Sequence, residues 1–234
     1  MFCLLFTDIF ITFARLIRHF MSIVNSIFVP SYSRATKKMS VKVFLMLFLV
    51  SFLLSVFFSF LINNFITKIP SAGGDVGVGF VVTLLLVVLI VPLIEETCFR
   101  LWLKRGKNNF AFGVLSACFL LLSCVFCSSA PWGIRIFVLL ASVVLFLAVL
   151  ASRLKPRVFL KHYTAFYYVS IVSFGLVHLG NYSASHLVSP FVFPLLAVPY
   201  IIAGLIFGYT RITYGFKYGL LLHASLNLSL LLFV

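Results

Sequence analysis

Acidic residues are nearly absent: Asp8, Asp75, Glu95 and Glu96 are the only four in 234 positions, against 18 lysines and arginines. Charged residues of all kinds make up 9% of the chain and hydrophobic ones 63%, which excludes an ordinary soluble domain. Apolar runs of about 20 residues recur instead, the length a helix needs to cross hydrocarbon. They are continuous rather than alternating, which argues against a β-barrel. The formal charge of +14 could suggest nucleic acid, but the basic residues fall in short stretches between the apolar runs. That is where the positive-inside rule puts them, and no sizeable soluble domain is left to hold a nucleic-acid site. Five cysteines, an odd number, make no disulfide framework. Cys124 and Cys127 are spaced as C-x-x-C but sit in an apolar run with no matching second pair, and they read as buried thiols. No G-x-S-x-G or Ser-Lys pair stands out to support serine catalysis. The start of the chain has neither the basic region nor the small-residue cleavage site of a signal peptide, so no processing is expected.

Read in order, the pattern predicts an all-α polytopic membrane protein with about seven transmembrane helices behind an N-terminal interfacial amphipathic helix. Within residues 1–29, Asp8, Thr12, Arg15, His19, Ser22 and Ser26 recur at steps of three or four and line one helical face. A basic loop with Arg34, Lys37, Lys38 and Lys42 leads to a first span at 43–62, and span and flanking loops together occupy 30–77. The remainder, 78–234, reads as a membrane core with spans at 79–103, 110–128, 134–152, 163–179, 190–209 and 216–234. With the N-terminus inside, fifteen of the 18 lysines and arginines fall on the cytoplasmic side and two, Lys68 and Arg135, outside. Arg100 lies within a span. This alternation predicts a multi-pass protein of the plasma or inner cell membrane, with the N-terminus cytoplasmic and the bilayer as its first partner. Pro92 interrupts the second span, and Gly204-x-x-x-Gly208 gives the sixth a small-residue ridge suited to close packing.

An ionised carboxylate at mid-membrane costs roughly 2.5–3.5 kcal/mol to insert. Two in succession, Glu95 and Glu96 at the end of the apolar run 81–94, therefore need a reason. On a helix Glu96 and Arg100 are four apart, the acid on the favoured N-terminal side, and so can pair. Glu95 points about 100° away and has no partner on its own helix, which leaves it available as a general base. The competing reading is a structural Glu-Arg pair with a spare acid in a water-filled gap. Two later spans carry polar groups at helical spacing, Phe174 and His178 in the fifth, His223 and Asn227 in the seventh. Either histidine alone could simply hydrogen-bond a neighbour. A carboxylate, two imidazoles and an amide together are what a buried hydrolytic or metal site requires. His19, His162 and His186 fall in interfaces or loops.

Glu-Glu-x-x-x-Arg, Phe-x-x-x-His and His-x-x-x-Asn on successive membrane segments resemble the CPBP family of intramembrane metalloproteases. That family is related to the CAAX prenyl endopeptidases and to bacteriocin-processing and self-immunity proteins. The resemblance covers about 78–232, and 204–227 is similar to the family's C-terminal signature. It implies a CAAX-protease-like metalloendopeptidase in which Glu95 activates the hydrolytic water and Glu96 and Arg100 support it. His178, His223 and Asn227 complete the catalytic set. Zinc is the cofactor to consider, with Glu95, His178 and His223 as ligands, because two histidines and a glutamate make a normal catalytic set. Whether such sites hold the metal stays open at this point. The implied substrate is a C-terminal or membrane-associated peptide. The alternative is a non-catalytic scaffold or bacteriocin self-immunity protein of the same fold. A proton-coupled transporter is disfavoured by the lack of an internal repeat.

The chain departs from the family pattern in two respects. About 80 residues separate the first and second motifs where many relatives pass almost directly, so the hairpin at 110–152 reads as an insertion. The second concerns depth. Glu95 lies nine residues from Lys104 and His178 lies 17 from Lys161, or roughly 13 Å and 25 Å along straight helices. For the site to assemble, the fifth span must begin in the interface, or the second must bend or tilt at Pro92.

Overall fold

The computed structural model describes residues 18, 21–33, 36–62, 79–104, 109–115, 118, 132–181 and 193–233, and their regular structure is entirely helical. The helices are α1 (Val41–Leu61), α2 (Phe80–Leu103), α3 (Trp132–Leu154), α4 (Pro156–Lys161), α5 (Tyr163–Val177), α6 (Phe193–Tyr214) and α7 (Phe216–Phe233). Residues 21–28 and 109–115 are helical as well. Four helices are long and apolar enough to cross a bilayer: Val41–Leu61, Phe80–Leu103, Tyr163–Gly180 and Leu195–Tyr214. The apolar parts of α3 and α7, Val138–Leu154 and Phe216–Leu232, are shorter. Most of the expected third span, 110–128, and most of the amphipathic helix at 1–29 lie outside the described residues. The chain is a multi-pass membrane protein, with four of the seven expected spans identified by length and composition.

α1 begins where Ser40 caps it, its Oγ accepting from the Val43 N–H at 3.3 Å. It then presents Leu45, Leu49, Leu53, Phe57 and Phe60 outward, as α2 presents Phe80, Val81, Leu85, Leu89 and Ile90. Two such long exposed apolar stripes are what lipid contact demands. The basic segments gather at one end of the bundle. Lys37 N–H donates to the Thr213 carbonyl at 2.8 Å, Thr164 Oγ1 to Pro30 O at 3.4 Å, and Tyr163 O–H to Leu103 O at 3.4 Å. These bonds tie the 30–40 loop, the end of α2, the α4–α5 turn and the α6–α7 join together.

α5 packs between α3 and α6. The approach of α6 is close because Gly204 and Gly208 carry no side chain. A Cβ at Gly208 would lie 2.9–3.2 Å from the Tyr167 ring, and one at Gly204 would lie 3.2 Å from Ile171 and Phe174. α6 runs five residues beyond the expected end of its span, to Tyr214. Gly215, at φ +105°, then turns the chain into α7, its N–H shared between the Thr210 and Arg211 carbonyls at 3.2 and 3.1 Å.

α2 is not a regular α-helix. It widens to a π turn over Leu86–Ile90, returns to α over Val91–Glu95, widens again over Glu96–Arg100 and tightens to 3₁₀ over Leu101–Leu103. Pro92 lies between the two wide turns. Such bulges cluster at functional sites.

Candidate active site

Antiparallel packing against α2 brings the motifs together. Tyr163 on α5 stands level with Leu103, and Ser170 Oγ donates to the Phe99 carbonyl. From that bond His178 is eight residues up α5 and Glu95 four residues up α2, leaving a gap of roughly 6 Å along the axes. Side chains lean toward their own helix N-terminus, and in antiparallel helices these two lean toward each other. The expected depth conflict is reduced for that reason, with α5 starting level with the end of α2.

Glu95 faces both histidines. Its Oε1 is 3.4 Å from His178 Nε2 and its Oε2 is 3.3 Å from His223 Nε2, and its side chain keeps 15% exposure. Glu96 is fully buried, its Oε1 paired with Arg100 Nη1 and 3.1 Å from His223 Nδ1. The two neighbouring acids thus occupy different environments, one partly exposed and the other fully buried, with its Oε1 on Arg100 and His223 and its Oε2 without a hydrogen-bond partner among the described residues. Arg100, fully buried, lies with its guanidinium 4.2 Å from the centre of the Phe174 ring and 5.3 Å from that of Phe207. Its Nε and Nη2 find no hydrogen-bond acceptor among the described residues, so the aromatic faces take that side of the charge.

The ring nitrogens can be assigned from their partners. His178 Nδ1 is 2.7 Å from the Phe174 carbonyl, which only accepts, so Nδ1 carries the proton. His223 Nδ1 is likewise directed to a carboxylate oxygen of Glu96. In both rings Nε2 is the atom offered to Glu95. Tyr200 stacks on His178 at 4.3 Å between centroids and Phe207 on His223 at 4.4 Å, while Phe174 sets its ring against both imidazoles.

Asn227 reaches a different partner: its Nδ2 donates to the Val87 carbonyl at 3.0 Å. His162 is exposed in the α4–α5 turn, and His19 and His186 lie outside the described residues. The contributions of Tyr200, Phe207 and Arg211 are not apparent from the motifs. Arg211, counted among loop cations in the charge alternation, is buried in α6; its Nε donates to Arg100 O at 3.3 Å and Nη2 to Leu101 O at 3.1 Å. It satisfies carbonyls that the end of α2 leaves open. The one available signal is its spacing, four residues from Phe207 on the same helix. Beside it, burial and then the charge of Arg211 hold the Lys104 ammonium below the ordinary lysine range.

The chemistry of Glu95, His178 and His223 suits zinc, but their arrangement does not. The two Nε2 atoms address opposite oxygens of one carboxylate, so that Glu95 stands between the rings. Among the described residues no three His, Cys, Asp or Glu side chains are set to hold a metal ion.

Fold and site define a multi-pass helical membrane protein with a partly exposed carboxylate set against two oriented imidazoles. The profile of the type II CAAX prenyl endopeptidase Rce1-like family matches residues 77–229, well over half of the chain. The chain belongs to that family of CAAX-type membrane proteases. Among curated proteins and among solved structures, none matches.

Proposed function

We propose that the protein is an endopeptidase that hydrolyses a peptide bond within the membrane, using a water activated by Glu95. The observation that supports this most is the division of labour between the two acids: Glu96 is fully buried with its Oε1 on Arg100 and His223, whereas Glu95 is partly exposed and faces two Nε2 atoms. With Nδ1 of His178 committed to Phe174 O, its Nε2 and the Glu95 carboxylate are both acceptors facing one gap. Two acceptors 3.4 Å apart repel unless hydrogens lie between them. A water that donates one hydrogen to each relieves the repulsion and presents its lone pairs to a substrate.

In the proposed reaction Glu95 takes a proton from this water as its oxygen adds to the carbonyl carbon of the scissile bond. The protonated Glu95 then gives the proton to the leaving nitrogen as the C–N bond breaks, and the carboxylate is restored. His223, set between Glu95 and Glu96, and Arg100, paired with Glu96, hold the two adjacent acids in place. No step runs through a metal. The substrate class proposed is a C-terminal or membrane-associated peptide, and the family name makes a peptide next to a prenylated cysteine the first to try. The end carrying the basic segments is proposed to face the cytoplasm of the plasma or inner membrane.

Purified protein incubated with C-terminal peptides, prenylated and not, tests the reading by mass spectrometry of the products. Cleavage by the parent and none by Glu95→Gln is expected. Intact peptide in every case would sink it and favour a scaffold of the same fold.

A further inference from the structure

We infer that Asn227 is a positioning residue: it holds α2 in its widened form ahead of Glu95 by supplying the hydrogen bond that Pro92 cannot. In the turn Leu86–Ile90 the backbone donors reach five residues back, and the Val91 N–H goes to the Leu86 carbonyl. The next donor in that register is residue 92, and its acceptor is the carbonyl of Val87. Pro92 has no N–H. In an α register the donor for Val87 is Val91, whose N–H is already directed to Leu86. Wide turn and proline together strip Val87 of both helical partners. Its carbonyl is left inside a helix flanked by apolar side chains, where an unmet acceptor is costly. Asn227 Nδ2, from α7 and 140 residues away in sequence, donates to that carbonyl at 3.0 Å.

The register matters because Glu95 follows Pro92 by three residues. A wide turn inserts one extra residue, and loss of it rotates everything that follows by roughly 100°. Such a rotation carries Glu95 away from both Nε2 atoms. Asn227 sits one turn from His223 on α7, so the helix that presents an imidazole to Glu95 also fixes the angle at which Glu95 meets it. The inference rests on the hydrolytic reading only for its effect on turnover.

A mutant cycle tests it. Asn227→Leu removes the donor at similar volume, and Asn227→Asp takes its place if the leucine variant does not fold. Pro92→Ala provides the missing N–H. Thermal unfolding in detergent and peptide turnover are measured for the parent, both single variants and the double variant. In the parent, Asn227→Leu is expected to lower the unfolding temperature by several degrees and kcat by about tenfold, the scale of one buried acceptor left unmet. In the Pro92→Ala background both losses shrink to within about twofold. Equal losses in the two backgrounds overturn the proposal, as does an Asn227→Leu variant without loss. A double variant that unfolds like Pro92→Ala but turns over far more slowly also overturns it, since Asn227 then acts on the substrate and not through α2. If not even the parent cleaves peptide, the hydrolytic reading falls while the unfolding cycle still decides the role of Asn227.

Discussion

Tyr200 lies on the face of His178, the ring centroids 4.3 Å apart and the planes inclined by 27°. With Nδ1 of the imidazole fixed on the Phe174 carbonyl, the stack removes the remaining freedom of the ring and keeps Nε2 on Glu95. An aromatic contact of this kind is worth about 0.5–1.5 kcal/mol beyond its burial. Tyr200→Leu is therefore expected to lower kcat by roughly three- to tenfold, and Tyr200→Phe, which keeps the ring, to stay near the parent. Steady-state kinetics on one peptide substrate decides this, and unchanged turnover in Tyr200→Leu removes Tyr200 from the site.

The two glutamates should fail differently. Glu95→Gln keeps shape and removes the base, so the protein unfolds near the parent temperature while turnover drops by at least about a hundredfold. Glu96→Gln takes the countercharge from a fully buried arginine, a change that costs about 3–5 kcal/mol of stability. Thermal unfolding and turnover measured together separate the cases. Similar unfolding losses in both variants would contradict the division between a reacting and a supporting acid.

Arg211 should behave as the lock on the end of α2. Arg211→Met deletes a charged donor to one buried and one part-buried carbonyl, and hydrogen bonds from charged groups contribute about 1.5–3 kcal/mol each. A large fall in unfolding temperature is expected. Arg211→Lys, with a charge but no fork to span two acceptors, should recover part of it. If the methionine variant is as stable as the parent, the bonds to Arg100 and Leu101 contribute nothing.

The gathering of basic segments at one end predicts a labelling pattern. Single cysteines at Lys38, Lys155 and Lys217, in a background without native cysteines, should all be modified by an impermeant reagent from the same side, expected to be the cytoplasm. Modification of one from the opposite side would break the shared end apart.

Much of this was legible from residue types alone. A chain so apolar has no other way to satisfy its backbone than as membrane helices, and two acids in such a setting mark their own importance. The pairing of Glu96 with Arg100 followed from a spacing of four. The depth of His178 relative to Glu95 was misjudged because counting residues treats side chains as perpendicular to their helices, whereas these two lean together. Tyr200 and Phe207 were hidden among 9 tyrosines and 29 phenylalanines, where one more aromatic ring carries no contrast. Arg211 was counted with the loop cations because the end of α6 was set at Tyr209; its actual role depends on carbonyls that only the folded end of α2 exposes. The partner of Asn227 was unreadable for a similar reason. Whether Val87 lacks a donor depends on a register that no residue type encodes, although Pro92 half-announces it.

The glycine face of α6 bears on how a substrate gets in. With Gly208 against the Tyr167 ring and Gly204 against Ile171 and Phe174, not even a methyl group fits between α5 and α6 without something moving. That seam is shut to an extended peptide arriving sideways from the lipid. For the proposed peptide substrate, the residues that sort one sequence from another are to be sought on another flank of the bundle and not along that part of α5 and α6.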